Sequence, residues 1–208
     1  MLLAPNKGFV LLAPPKTATT SIEQAFSPYA DVHLQKNPFK HTTYAGFQRF
    51  LQPWLEARGF PRGSYEVICV AREPIEWLFS WWSYRSREGL ARPSHPNHTN
   101  YAGHLSFEQF ARAYMGSYPA QGDKRSVRVG RLSKFLRPLD GEPAVDRLFR
   151  YERLDLLVGY LGGKVGREVE VGVTNVSPRR SFDLSEECER DLREFSAPEY
   201  ERYGWTVG

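Results

Sequence analysis

The stretch "LLAPPKTATTSIEQAF", residues 11–26, gathers one lysine and several hydroxyl residues: Lys16, Thr17, Thr19, Thr20 and Ser21. An ammonium group among hydroxyls is suited to holding an anion. Apolar residues precede the group and a helical pattern follows it, so it falls between a strand and a helix. A helix start there adds unpaired backbone N–H groups and the positive end of the helix dipole. The nucleoside triphosphate loop, G-x-x-x-x-G-K-[ST], fits poorly because both of its glycines are missing. A strand followed by an ordinary Thr-capped helix with a surface lysine fits the same letters. By itself the stretch leaves both readings open.

A second stretch points the same way. The apolar run "YEVICVA" (65–71) has the composition of a buried strand, and Arg72 follows at its carboxyl end. "EPIEWLFSWWSYRSR" (73–87) comes next, with Pro74 suited to the first turn of a helix and Ile75, Leu78, Phe79 and Trp82 at helical spacing. Ser80 lies two helical turns along. In open α/β sheets ligands bind outside the carboxyl ends of the strands, so Arg72 is expected on the same edge as the first loop. An arginine binds phosphate bidentately and a serine hydroxyl adds one more bond, so Arg72 and Ser80 are candidates for a second phosphate.

At this point the chain resembles the sulfotransferases that use 3′-phosphoadenosine 5′-phosphosulfate (PAPS), in their carbohydrate-type and bacterial branch. "PKTATTS" (15–21) is similar to that family's P-K-T-G-T-T-S loop. "AREPIEWLFSWWSYR" (71–85) is similar to its second motif, R-[DE]-P with a spaced serine and a downstream arginine. "FRYERL" (149–154) and "NVSPRRS" (175–181) resemble later family stretches more loosely, as does the middle third of the chain. The resemblance implies a P-loop-NTPase-like sulfotransferase fold and transfer of a sulfuryl group to a hydroxyl of a saccharide or small molecule. PAPS would be the donor and 3′-phosphoadenosine 5′-phosphate (PAP) the product. Lys16, Thr17, Ala18, Thr19 and Thr20, with Ser21 beside them, would surround the 5′-phosphosulfate, Lys16 neutralising the leaving phosphate oxygen. Arg72 and Ser80 would bind the 3′-phosphate, and Arg179 or Arg180 would complete the nucleotide site. The family's loop glycine is Ala18 here. Positive φ would strain an alanine by ~1 kcal/mol or more. The expectation is instead that Ala18 is already the first helical residue.

Sulfuryl transfer is an in-line displacement helped by positioning and charge stabilisation, and no metal is expected. An acceptor hydroxyl benefits from a general base. Of the five histidines, His41 in "NPFKHTTYAGF" (37–47) is the candidate, because its K-H-T pattern resembles an acceptor-lining stretch of carbohydrate-type relatives. His95, His98 and His104 fall in a polar loop and read as solvated; their spacing in "SHPNHTNYAGH" matches no strong zinc motif. His33 is the fifth. Glu23, one turn into the first helix, is a rival base, or else a solvated face residue or a capping partner. A P-loop-like kinase, or a nucleotide-binding module without turnover, is the alternative to a sulfotransferase.

These residues need a scaffold, and the rest of the chain supplies its elements. "GFVLLAP" (8–14) suits a buried parallel strand, and a helix is expected from about Thr19 to Phe26. "SFEQFARAYM" (106–115) suits a helix capped by Ser106. A strand running into a helix is expected over 145–162, and an amphipathic helical region over 185–204. Strands alternating with helices predict one α/β domain over 1–208, with a mostly parallel central sheet flanked by helices. The 208 residues, 41% hydrophobic and 25% charged, are globular values. A formal charge of +4 suits an anionic ligand and falls short of a nucleic-acid binder's basic stripe. Cys69 and Cys188 make no disulfide framework, and Cys69 reads as a buried core thiol. Pro5, Asn6, Lys7 and Gly8 break the apolar N-terminus, which argues against a signal peptide. No apolar run approaches the ~20 residues of a membrane span. The chain is expected to be cytoplasmic.

Overall fold

Leu2–Ala4 (β1) and Phe9–Leu11 (β2) form an antiparallel hairpin at the start of the chain, with Leu2 opposite Leu11. The computed structural model of the protein describes residues 1–116, 124–140, 145–172 and 183–205. Pro5, Asn6 and Lys7 make a single 3₁₀ turn, and Gly8 closes it at φ 72° by donating its N–H to the Pro5 carbonyl. Three more strands complete the sheet: Val32–His33 (β3), Glu66–Ala71 (β4) and Arg147–Arg150 (β5). The strand order is β3-β1-β2-β4-β5. β1 pairs antiparallel with β2 and β3, whereas β2–β4 and β4–β5 are parallel.

The protein is therefore α/β, as its alternating pattern predicts, but the sheet is mixed and the expectation of a mostly parallel one is corrected. The physical reason lies in the first eight residues. The breakers that interrupt the apolar N-terminus are a hairpin turn, and the short runs on either side of it are both strands. Asn6 then ties the hairpin to β3, its backbone N–H and side-chain amide both donating to the Asp31 carboxylate.

The described residues fall into two compact units, one from residues 1–72 and 131–172, the other from 73–130 and 183–205. The first holds the sheet. The helix Thr19–Phe26 (α1) buries Ile22 and Phe26 in a core with Leu2, Phe9, Leu11, Ile68 and Val70, joined by Leu157 and Leu161 of the Leu154–Val165 helix. That helix tolerates Gly162 because the chain returns across it: a Cβ there would stand 2.8 Å from the Arg167 carbonyl oxygen. Glu66 fastens the parallel strands to the same helix, accepting from Arg147, Lys164 and the Tyr160 hydroxyl. These donors hold its carboxyl far below the usual range, at about 2. Cys69 is fully buried, as expected, and burial pushes its thiol pKa up.

The second unit packs helices. Glu73 caps the Pro74–Arg85 helix by accepting from the Glu76 N–H, with Pro74 in the first turn. Ser106 and Gln109 form a full capping box at the head of the Phe107–Met115 helix. Ile75, Leu78, Phe107, Phe110, Cys188 and Leu192 make its core. Arg85, the arginine downstream of Ser80, is buried and donates to the carbonyls of Arg125, Ser126 and Arg128. Burial lowers its pKa to about 10. No helix among the described residues is long and apolar enough to cross a membrane.

Candidate functional site

The first unit contains the loop that the sequence singles out. Strand β2 continues one residue, the Leu12 N–H donating to Ile68, and the chain then turns through Pro14 and Pro15 into α1. The Thr17 hydroxyl donates to the Pro14 carbonyl at 2.8 Å and the residue is 2% exposed, so it closes the loop from within. Lys16 at φ 68° and Ala18 at φ 53° are the positive-φ non-glycine residues among the described ones.

The expectation that Ala18 opens the helix is thereby corrected. Ala18 is the N-cap, at φ 53°, ψ 16°, and α1 begins at Thr19. A sharp turn from a strand into a helix, closed by Thr17 on Pro14, forces the left-handed conformation on the residue before the helix. That conformation costs an L-residue roughly 1–2 kcal/mol. Strain of this kind persists where surrounding bonds over-determine it, and it clusters at binding sites. Replacing Ala18 with glycine is expected to stabilise the protein by about 1 kcal/mol, since glycine enters this region without a Cβ clash. Urea unfolding of the two proteins checks this, and an Ala18→Gly protein no more stable than the parent would show that the loop is unstrained there.

An alanine N-cap has a second consequence. It offers no side-chain oxygen, and α1 has no side-chain cap hydrogen bond among the described residues. The Ala18 side chain therefore takes none of the first N–H groups of α1, which lie at the positive end of the helix dipole. Thr19 is buried and Ser21 half-buried, while Thr20 is exposed on the first turn.

The parallel strands β2, β4 and β5 bring their carboxyl ends to one edge, as the ligand rule for open sheets requires. Arg72 follows β4 there, 9% exposed, and its Nη1 donates to the Lys16 carbonyl at 3.3 Å. Its guanidinium lies 4.2 Å from the ring centre of Tyr151, which directly follows β5. Sequence reading missed Tyr151, because an aromatic residue at a strand end carries no signal of its own. Ser80 lies in the second unit, buried on the Pro74–Arg85 helix.

His41 is tied to the loop. Its Nδ1 lies 2.7 Å from the carbonyl oxygen of Ala13. A carbonyl only accepts, so Nδ1 carries the proton and Nε2 keeps its lone pair in the neutral ring. Burial, reinforced by the Lys40 ammonium and opposed by the Ala13 bond, brings the ring below its ordinary value of 6.5. The Ala13 bond thus fixes the tautomer of the neutral ring, and burial favours that neutral form.

Lys40 was not among the residues predicted from sequence. Its Nζ donates to the Thr20 hydroxyl at 2.9 Å and lies 3.6 Å from Glu23. Glu23 is 1% exposed, so it is no solvated face residue; the same carboxylate oxygen lies 3.4 Å from His33 Nε2. The remaining histidines belong to the second unit and make local contacts: His95 accepts from the Asn97 N–H, His98 Nδ1 meets the Leu90 carbonyl, and the His104 ring neighbours Tyr101. Arg179 and Arg180 lie outside the described residues. Among the described residues no three of His, Cys, Asp and Glu come together to hold a metal ion.

The assembled groups are a loop with left-handed residues leading into a helix start without a side-chain cap, a guanidinium bonded to that loop through the Lys16 carbonyl, and a histidine bonded to it through the Ala13 carbonyl. Chemically they can hold an anion and accept a proton beside it. Comparison with protein-family models, curated proteins and solved structures finds no match to the chain.

Proposed function

We propose that the protein is a PAPS-dependent sulfotransferase that moves a sulfuryl group to a hydroxyl of a saccharide or small-molecule acceptor. The observation that carries this reading is the attachment of Arg72 and His41 to one loop, through the carbonyls of Lys16 and Ala13. An anion held at the start of α1 then has a cation and a proton acceptor within the same unit. The donor set suits a phosphosulfate: backbone N–H groups, an ammonium, hydroxyls and a guanidinium. It also suits a phosphate loop without glycines, because the left-handed positions are occupied by Lys16 and Ala18.

The donor supplies an activated sulfuryl group on a phosphate leaving group. Lys16 neutralises charge on the 5′-phosphate, and the N–H groups of α1 with the Thr20 hydroxyl hold its oxygens. Arg72, stacked on Tyr151, takes the 3′-phosphate as the resemblance assigns. His41 Nε2 accepts the acceptor hydroxyl's proton as the new O–S bond forms and the bond from sulfur to the 5′-phosphate oxygen breaks.

Thermal stability measured with PAP, and separately with ATP plus magnesium, tests the reading. PAP at 100 times its dissociation constant is expected to stabilise the protein by ~2.7 kcal/mol. Stabilisation by ATP with magnesium and none by PAP would overturn the proposal in favour of a kinase. Binding of PAP without sulfate transfer to any hydroxyl compound tried would reduce the protein to a nucleotide-binding module.

A further inference from the structure

Two hydroxyls of the loop are used in opposite ways. Thr17 donates its hydrogen to the Pro14 carbonyl, so that hydrogen is spent inside the protein. Thr20 instead accepts, from Lys40 Nζ at 2.9 Å. A hydroxyl has one hydrogen and two lone pairs, and accepting through a lone pair turns the hydrogen away from the donor. An ammonium cannot accept in return. Contact with Lys40 therefore fixes the Thr20 oxygen as an acceptor on one side and leaves its O–H to donate on another.

Lys40 is itself held. Its side chain is 16% exposed, and its Nζ lies 3.6 Å from Oε2 of Glu23, which is 1% exposed. Glu23 Oε2 also lies 3.4 Å from His33 Nε2 and 3.0 Å from the Met1 amine. Oε1 of the same carboxylate is buried without a hydrogen-bond partner among the described residues. A buried carboxylate must keep cations near it, which fixes the lysine's position. Glu23 and Thr20 are three positions apart on α1, so one ammonium reaches both from the same side of the helix.

We propose that Lys40, held by the Glu23 carboxylate, is a positioning residue that sets the Thr20 hydroxyl as a hydrogen-bond donor to the phosphate of the bound nucleotide. This rests on the sulfotransferase reading above. It takes Glu23 out of competition for the role of base and gives it a structural task one residue removed from the ligand. It also explains why a lysine stands beside His41: the two neighbours tie the same segment to the helix start and to the loop.

A double-mutant cycle in PAP affinity tests it, with isothermal titration calorimetry as the readout. Thr20→Val is expected to weaken PAP binding about tenfold or more, as loss of a hydrogen bond to a charged group does. Lys40→Met is expected to weaken it several-fold, and the double variant no further than Thr20→Val alone, because the lysine acts through the threonine. Thr20→Ser should keep most of the affinity. Losses that multiply in the double variant, or an unchanged affinity in Lys40→Met, would overturn the positioning role. If Lys40→Met does not fold, the same cycle is run in Glu23→Gln/Lys40→Met, which leaves no unpaired carboxylate. A parent protein that binds no PAP would instead overturn the sulfotransferase reading, and this inference with it.

Discussion

Arg72→Ala is expected to weaken PAP binding by about 2–5 kcal/mol, roughly 30-fold to several thousand-fold, the cost of truncating one partner of a buried charged pair. The size follows from the residue's setting. Arg72 is 9% exposed, bonded to the Lys16 carbonyl, and stacked on Tyr151. Its loss removes a cation and also releases a carbonyl in the strained part of the loop. Lysine is not expected to restore the site, because it lacks the planar fork that bonds and stacks together. Tyr151→Leu should produce a smaller loss of the same kind, about 0.5–2 kcal/mol, by removing the aromatic face. Calorimetric titration with PAP measures all three variants. Unchanged affinity in Arg72→Ala would remove the arginine from the nucleotide site.

The second large effect is expected at His41. His41→Asn should leave PAP affinity near that of the parent while lowering turnover by about 10²–10⁴-fold, the usual contribution of a general base. Asparagine is chosen because its side-chain amide can donate to the Ala13 carbonyl in place of Nδ1–H. It keeps the tie to the loop and deletes only the proton acceptor. The pH profile gives an independent check. The ring accepts a proton only when neutral, so turnover should rise with pH through an apparent pKa below the ordinary 6.5 and then level off. The direction follows from burial and the Lys40 charge, which both disfavour the protonated ring. That acid limb should vanish in His41→Asn. A variant with full activity, or with the limb intact, would show that another group takes the proton.

Much of the local structure was legible in the sequence. The bounds of α1 follow from apolar spacing, and Pro74 in a first turn and the Ser106 cap from the chemistry of helix starts. Both act over a few neighbouring residues. The hairpin β1–β2 was not legible, because two runs of three residues are too short to show a period. The legible strands by themselves therefore predict a mostly parallel sheet. The same four residues that break the apolar run carry the turn that makes it mixed.

For the site, the sequence by itself determined the chemistry available: a lysine and hydroxyls before a helix, an arginine at a strand end, and a histidine in the following segment. Only the tertiary structure decided how those groups are used. Ala18 is left-handed at the end of a loop that two bonds hold just ahead of it, Thr17 to the Pro14 carbonyl and Arg72 to the Lys16 carbonyl, the second from 56 residues away. The tautomer of His41 is set by a carbonyl 28 residues away, and the direction of the Thr20 hydroxyl by a lysine 20 residues away. Residue type is written in the chain. The partner that fixes a dihedral, a proton or a lone pair is supplied by folding, which brings together residues that local spacing cannot connect.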